Sequence, residues 1–285
     1  MSSRTATLIG FAAIAQWSLL ALLTVASGRV PPFELAALTF AIAAVAGLAI
    51  AAARGRLAAV LPTAASLALG LYGLFGDTVL YFAALKLAPA AEASLIHYLW
   101  PLLMVLFAAA LPGGALRLRH VAGALMGLAA TVLLVGERLG TAAPNAHLGY
   151  ALAFAGAFVW ASFSVGSGRL GEVPTESITA TCATSAVLSL LCHLAFERTV
   201  WPGAASEWIA VIGLGLGPMG TAFFLWDIGM KRGDVPFIAV LSYAAPVLST
   251  AILVAAGYAR PSLSLALACV LIVAGAVLAG RARRG

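Results

Sequence analysis

The feature that most constrains this chain is a succession of apolar stretches separated by short connections that hold nearly all of its charge. Each stretch is about 20 residues long, the length a helix needs to cross a hydrocarbon core roughly 30 Å thick. With 63% hydrophobic and only 9% charged residues, no segment is polar enough to build a soluble domain. Glycine, proline and charge divide the chain into ten expected spans. The first five run over 5–26, 33–53, 63–86, 89–111 and 118–136, and the second five over 147–168, 175–195, 207–230, 235–257 and 262–280. The expected fold is an all-α membrane protein forming one transmembrane domain over 1–285. The first stretch is too long for the apolar core of a signal peptide, so it is read as a span.

Ten spans put both termini on one side, and the basic residues choose which. Only Arg29, Lys86, Arg138, Arg198 and Arg260 fall on the far side, leaving eleven of the 16 basic residues on the terminal side. Positive charge is retained in the cytoplasm, so both termini are expected there. The formal charge of +6 is therefore topology information, not a nucleic-acid surface. Cys182, Cys192 and Cys269 lie inside apolar runs without metal-like or C-x-x-C spacing and read as buried free thiols.

The halves echo each other. A shift of 145 aligns Lys86 with Lys231, the chain's two lysines, and also Tyr98 with Tyr243 and Pro101 with Pro246. Ser27-Gly28-Arg29 is matched by Ser167-Gly168-Arg169. Five spans per repeat is an odd number, so the second repeat (144–285) must be inverted relative to the first (1–143). Inverted repeats are a recurring plan of secondary transporters, with the substrate site near the midplane.

His97-Tyr98-Leu99-Trp100-Pro101 lies in the middle of the fourth span, where polar groups and a broken helix are tolerated only against protein or a water-filled cavity. A proline removes the hydrogen bond to the carbonyl four residues back. Pro101 thus frees the carbonyl of His97, and Pro246 that of Ser242, so both are candidate hinges. Trp17, Tyr81, Tyr98, Trp100, Trp160 and Tyr243 are candidate cavity aromatics, suited to a flat or apolar side chain through stacking or cation–π contact. Interhelical packing is the competing explanation for each.

Asp77 is an acid inside the third span, open to three roles: binding a substrate ammonium, relaying a proton, or accepting hydrogen bonds from another helix. His97 is open to substrate contact, proton relay or plain packing. Gln16 and Ser164 are further polar candidates beside the tryptophans. Asp227 reads as a surface partner of Lys231, and Trp201 and Trp208 as an interfacial pair. Gly123-x-x-x-Gly127 and Gly213-x-x-x-Gly217 suit close helix packing, and the glycines from Gly213 to Gly220 suggest a flexible point. No histidine cluster, G-x-S-x-G or H-E-x-x-H motif occurs, so neither a metal, a cofactor nor an enzymatic reaction is expected.

Ten spans, two inverted five-span repeats and mid-helix prolines in the fourth and ninth spans resemble the drug/metabolite transporter superfamily, EamA type, over essentially the whole chain. Within it, Tyr81-Phe82-Ala83-Ala84-Leu85-Lys86 followed by His97-Tyr98-Leu99-Trp100-Pro101 is most similar to the aromatic amino-acid exporters. The resemblance implies an inner-membrane secondary transporter moving aromatic and other neutral amino acids outward, by alternating access through a central cavity. Its partners would be a small-molecule substrate and the lipid bilayer, with a monomer as the working unit. Export of cationic drugs or another metabolite is the alternative; a channel or an intramembrane enzyme fits less well. One departure stands out. Many members carry an acid just after the fourth and ninth spans, where this chain has Leu111-Pro112-Gly113-Gly114 and Gly257-Tyr258-Ala259-Arg260.

Overall fold

The computed structural model describes residues 2–110, 118–137, 145–167, 173–233, 242 and 244–281. Tyr243, the 111–114 and 168–169 segments, and the basic residues Arg117, Arg138, Arg169, Arg283 and Arg284 lie outside them. The described residues form helices and connecting turns, without strands. Six helical stretches among them are long and apolar enough to cross a membrane: Ser3–Ala26, Pro32–Ala53, Ala64–Leu87, Ala146–Gly166, Thr175–Phe196 and Ala205–Gly229. Each coincides with an apolar run expected to span. The chain is a multi-pass membrane protein.

Several of these stretches are interrupted. The first is two helices, α1 (Ser3–Trp17) and α2 (Leu20–Ala26), a break the sequence reading did not anticipate. Its cause is local: the Ser18 hydroxyl bonds back to the Ile14 carbonyl at 3.0 Å, and the next amide, Leu19, turns tightly onto Gln16. After α3 (Pro32–Ala53) comes α4 (Ala64–Gly70), then a π-helical turn over Leu71–Gly76, then α5 (Asp77–Leu87). The His97–Pro101 stretch is a break between α6 (Ala90–His97) and α7 (Trp100–Ala110), not a bend in one continuous helix.

Beyond it lie α8 (Leu118–Glu137), α9 (Ala146–Ser167) and α10 (Ile178–Phe196). A second π-helical turn, Gly217–Thr221, joins α11 (Ala205–Leu216) to α12 (Ala222–Arg232). The flexible point inferred from the glycines is thus a defined wide turn, at which a Cβ on Gly220 would collide with the Gly215 carbonyl. The chain ends with α13 (Ala244–Ala255) and α14 (Leu263–Arg281).

The helices pack in pairs far apart in sequence: α1 on α12, α5 on α9, α3 on α10, α6 on α13 and α8 on α14. Small residues permit the approach. A Cβ on Gly275 would lie 2.9 Å from the Gly123 carbonyl oxygen, and one on Gly215 would lie 2.7 Å from Ile42. Gly123 therefore packs closely as its motif suggested, whereas in the second motif the tight position is Gly215 and not Gly213.

Both ends of the bundle carry polar fasteners. At one end Lys86 Nζ donates to the Thr24 carbonyl (3.1 Å), the Ser27 hydroxyl (3.0 Å) and the Gly28 carbonyl (2.7 Å), closing the C-terminus of α2. Nearby, the Glu197 carboxylate accepts the amides of Phe33 and Glu34 at the start of α3, at 3.0 and 3.1 Å. His193 then bridges Glu197 and Thr199, at 2.9 Å to each. Trp201 and Trp208 stack at this end with centroids 6.1 Å apart, both partly exposed as an interfacial pair would be. At the other end Lys231 donates to the Val173 carbonyl and to Asp227 (2.7 Å), Thr175 bonds Asp227, and Arg56 pairs with Glu176 at 2.8 Å. The three cysteines are free thiols.

Candidate functional site

The break between α6 and α7 opens into a small cavity among α1, α5, α6, α9 and the α11–α12 turn, where Trp17, Asp77, Tyr81, His97, Tyr98, Trp100, Trp160, Met219 and Phe223 converge. Seven of these were candidates from sequence. The cavity volume is about 50 Å³. That admits a few water molecules and no amino acid, so a substrate must widen it.

One wall is aromatic. Trp17 meets Trp160 edge-on, with centroids 5.4 Å apart, and lies 5.1 Å from Trp226. Trp100 stands nearly perpendicular to both Trp160 (6.5 Å) and Trp226 (6.1 Å), and Phe223 packs against both Trp17 and Trp160. Edge-to-face contacts of this kind favour a fixed arrangement over sliding stacks. The Trp17 indole N–H donates to the Pro218 carbonyl at 3.0 Å, anchoring the box to the π turn. Phe223, which lines the cavity, and Trp226, which packs on Trp17 and Trp100 without lining it, were not among the expected site residues. The 145-residue shift places Trp226 opposite Tyr81, which was a usable signal; Phe223 sits in an apolar run with nothing to mark it.

The other wall is polar. His97 Nε2 lies 2.7 Å from Asp77 Oδ1, and the His97 ring stacks on Tyr81 with centroids 3.9 Å apart. Tyr81 donates to Ser94 at 3.0 Å, and Ser94 meets Ser249 of α13 at 3.3 Å. The Tyr98 hydroxyl donates to the Trp17 carbonyl at 3.3 Å, across the break between α1 and α2. Gly156 of α9 makes room for the pair: a Cβ there would lie 3.1 Å from Asp77 Oδ1 and 3.2 Å from His97 Cδ2.

Gln16 and Ser164 lie outside the cavity lining. Gln16 Oε1 accepts the Thr221 hydroxyl at 2.7 Å, beside the π turn. Pro101 and Pro246 are buried, one opening α7 and the other in the first turn of α13, and the Pro246 carbonyl accepts the Cys269 thiol. Asp227 sits with Lys231 away from the cavity, as expected.

A broken-helix cavity walled by aromatics, in the middle of an apolar bundle, is the kind of site that solute carriers build. The comparison with known families agrees: the EamA-like transporter family matches residues 4–136 and again 147–281, and the chain belongs to that family. It is 57% identical over 282 residues to the aromatic amino acid exporter YddG of Ancylobacter novellus, covering 98% of each chain. It is 29% identical over 275 residues to the protein of the same name from Salmonella typhimurium, covering 88% of each. A solved crystal structure superposes with a TM-score of 0.78 at 56% identity, again over 98% of each chain. The chain is thus a transporter and not an enzyme.

Proposed function

We propose that this protein exports aromatic and other neutral amino acids from the bacterial cytoplasm by alternating access, with the aromatic cavity as its substrate site. The observation that carries the reading is the cavity itself, a tryptophan box facing the Asp77–His97 pair across the break in the fourth span. The box takes an aromatic side chain by stacking, and the Asp77 carboxylate takes the α-ammonium. The identity with a relative named as an aromatic amino acid exporter supports the same substrate class. Trp17, Tyr81, Tyr98, Trp100 and Trp160 line the path, and Gln16 and Ser164 support the walls.

The ten spans form two inverted five-span repeats, 1–143 and 144–285. Four features support this. The family matches twice, once in each half. The packing is symmetric under exchange of halves: the first span packs on the eighth as the sixth packs on the third, while the second, fourth and fifth each pack on their own counterparts. The π turns also fall at matched places in the third and eighth spans. Each lysine, moreover, bonds a carbonyl just beyond the first span of its own repeat, Lys86 to Gly28 and Lys231 to Val173. The repeats rock about Pro101 and Pro246. Both termini face the cytoplasm of the inner membrane, a placement that the excess of basic residues on the terminal side supports, and the working unit is a monomer.

Purified protein in liposomes should take up labelled phenylalanine and labelled threonine saturably. If neither enters above empty vesicles, amino-acid transport is the wrong assignment.

A further inference from the structure

A second and larger hollow lies outside the aromatic cavity. It is a crevice of about 810 Å³ between α3 and α12, closed on one side by residues 173–176. Its inner walls are apolar, with Ala43, Gly47, Phe224 and Ile228 facing each other, and its floor is the π turn at Gly220 and Thr221. Its mouth is charged. Arg54, Arg56, Lys231 and Arg232 line it, together with Glu176. All four basic residues are exposed. Arg56 is held by Glu176 at 2.8 Å and Lys231 by Asp227 at 2.7 Å, so the mouth presents cations backed by two carboxylates.

The crevice and the cavity meet at one turn. Gly220 and Thr221 floor the crevice, while Met219, one residue earlier, lines the cavity. Trp17 spans the junction, lining the cavity and bonding the Pro218 carbonyl of the same turn. The volume lies in the range of small-molecule sites, which the 50 Å³ cavity does not.

We propose that the crevice is a separate recruitment site for the transported amino acid on the cytoplasmic side, holding its carboxylate at the basic mouth and its side chain against the apolar walls. The proposal rests on the transport reading above. Occupant and crevice match in three respects: an apolar body for the walls, an anionic head for Arg54 and Arg232, and an ammonium for Glu176. A mouth of one dominant sign also raises the local concentration of anionic groups. From there the molecule passes the π turn into the aromatic box when Trp17 and Pro218 part.

The test uses full-length protein in inside-out and right-side-out membrane vesicles, with phenylalanine and its methyl ester, which lacks the carboxylate, as probes. Arg54→Gln and Arg232→Gln should each raise the KM for phenylalanine about two- to fivefold at the cytoplasmic face, the scale of one exposed charge interaction. The kcat, the KM at the other face and the KM for the methyl ester should not move. Ile50→Trp, which fills the crevice without touching its charge, should raise the cytoplasmic KM for both probes. Unchanged cytoplasmic KM values in all three variants overturn the proposal, as does an equal shift at both faces. An Arg54 or Arg232 effect that vanishes in vesicles free of anionic phospholipid also overturns it, because a lipid phosphate then occupies the mouth. Absence of saturable phenylalanine flux in the unaltered protein is a different outcome, and counts against the transport reading instead.

Discussion

His97 Nε2 and Asp77 Oδ1, 20 residues apart in the chain, lie 2.7 Å apart in the wall of the cavity. The contact exists because the fourth span stops at His97 and restarts at Trp100, so His97 faces the third span where Asp77 begins α5. An Asp77→Asn protein keeps the size and a hydrogen-bonding group but loses the charge. Its KM for phenylalanine should rise about tenfold, the value of one charge-assisted hydrogen bond, in a liposome uptake assay. An unchanged KM would assign Asp77 to packing.

Gly156 gives an independent handle on the same pair. Its missing side chain leaves the 3.1 Å and 3.2 Å approaches that a methyl group would occupy. Gly156→Ala should therefore lower phenylalanine transport severalfold while the protein remains folded, since overpacking by one methyl costs about 1–3 kcal/mol. Uptake and thermal unfolding measured on one preparation check both parts.

The two lysines separate in what they contribute to stability. Lys86 is partly buried and closes three acceptors at the end of α2, whereas Lys231 is exposed and its ion pair is solvated. Lys86→Met should cost about 2–3 kcal/mol by leaving those acceptors unmet. Lys231→Met should cost about 1 kcal/mol or less. Comparing the fall in Tm of the two purified variants decides the point.

Glu197 holds the start of α3 through the Phe33 and Glu34 amides, and His193 holds Glu197. Glu197→Ala removes a cap and leaves His193 facing Glu34, 4.0 Å away, without its better partner. A loss of about 1–2 kcal/mol follows, while the transport KM should not change because the cluster is remote from the cavity. A KM shift without a Tm shift would contradict this placement.

Much of the site was legible because chemistry in an apolar run has few reasons to exist. Asp77, His97, Trp100 and Trp160 stand out against their neighbours, and the structure brings them to one cavity. Pro101 marked the break in the fourth span. The break at Ser18 was not legible, since a serine or threonine bonding back to its own helix is ordinary, as at Thr7 and Thr39, and leaves those helices intact. The glycines from Gly213 to Gly220 pointed to the second π turn, but Leu71–Gly76 carries only Gly73 and Gly76 and gave no such signal. Gln16 adjoins Trp17 in sequence, yet on a helix adjacent residues point about 100° apart, and Gln16 reaches Thr221 instead of the cavity. The cluster of Glu34, His193 and Glu197 joins residues some 160 positions apart, a distance no local pattern encodes.

The central claim is that the tryptophan box recognises the substrate side chain. The most direct measurement is the ratio of labelled phenylalanine to labelled threonine uptake in liposomes, for the unaltered protein and for Trp100→Ala. Removing one wall of the box should lower phenylalanine uptake about tenfold or more while threonine uptake changes little, since a buried aromatic contact adds about 1 kcal/mol beyond its apolar burial. An unchanged ratio, with both substrates still transported, would place recognition elsewhere in the protein.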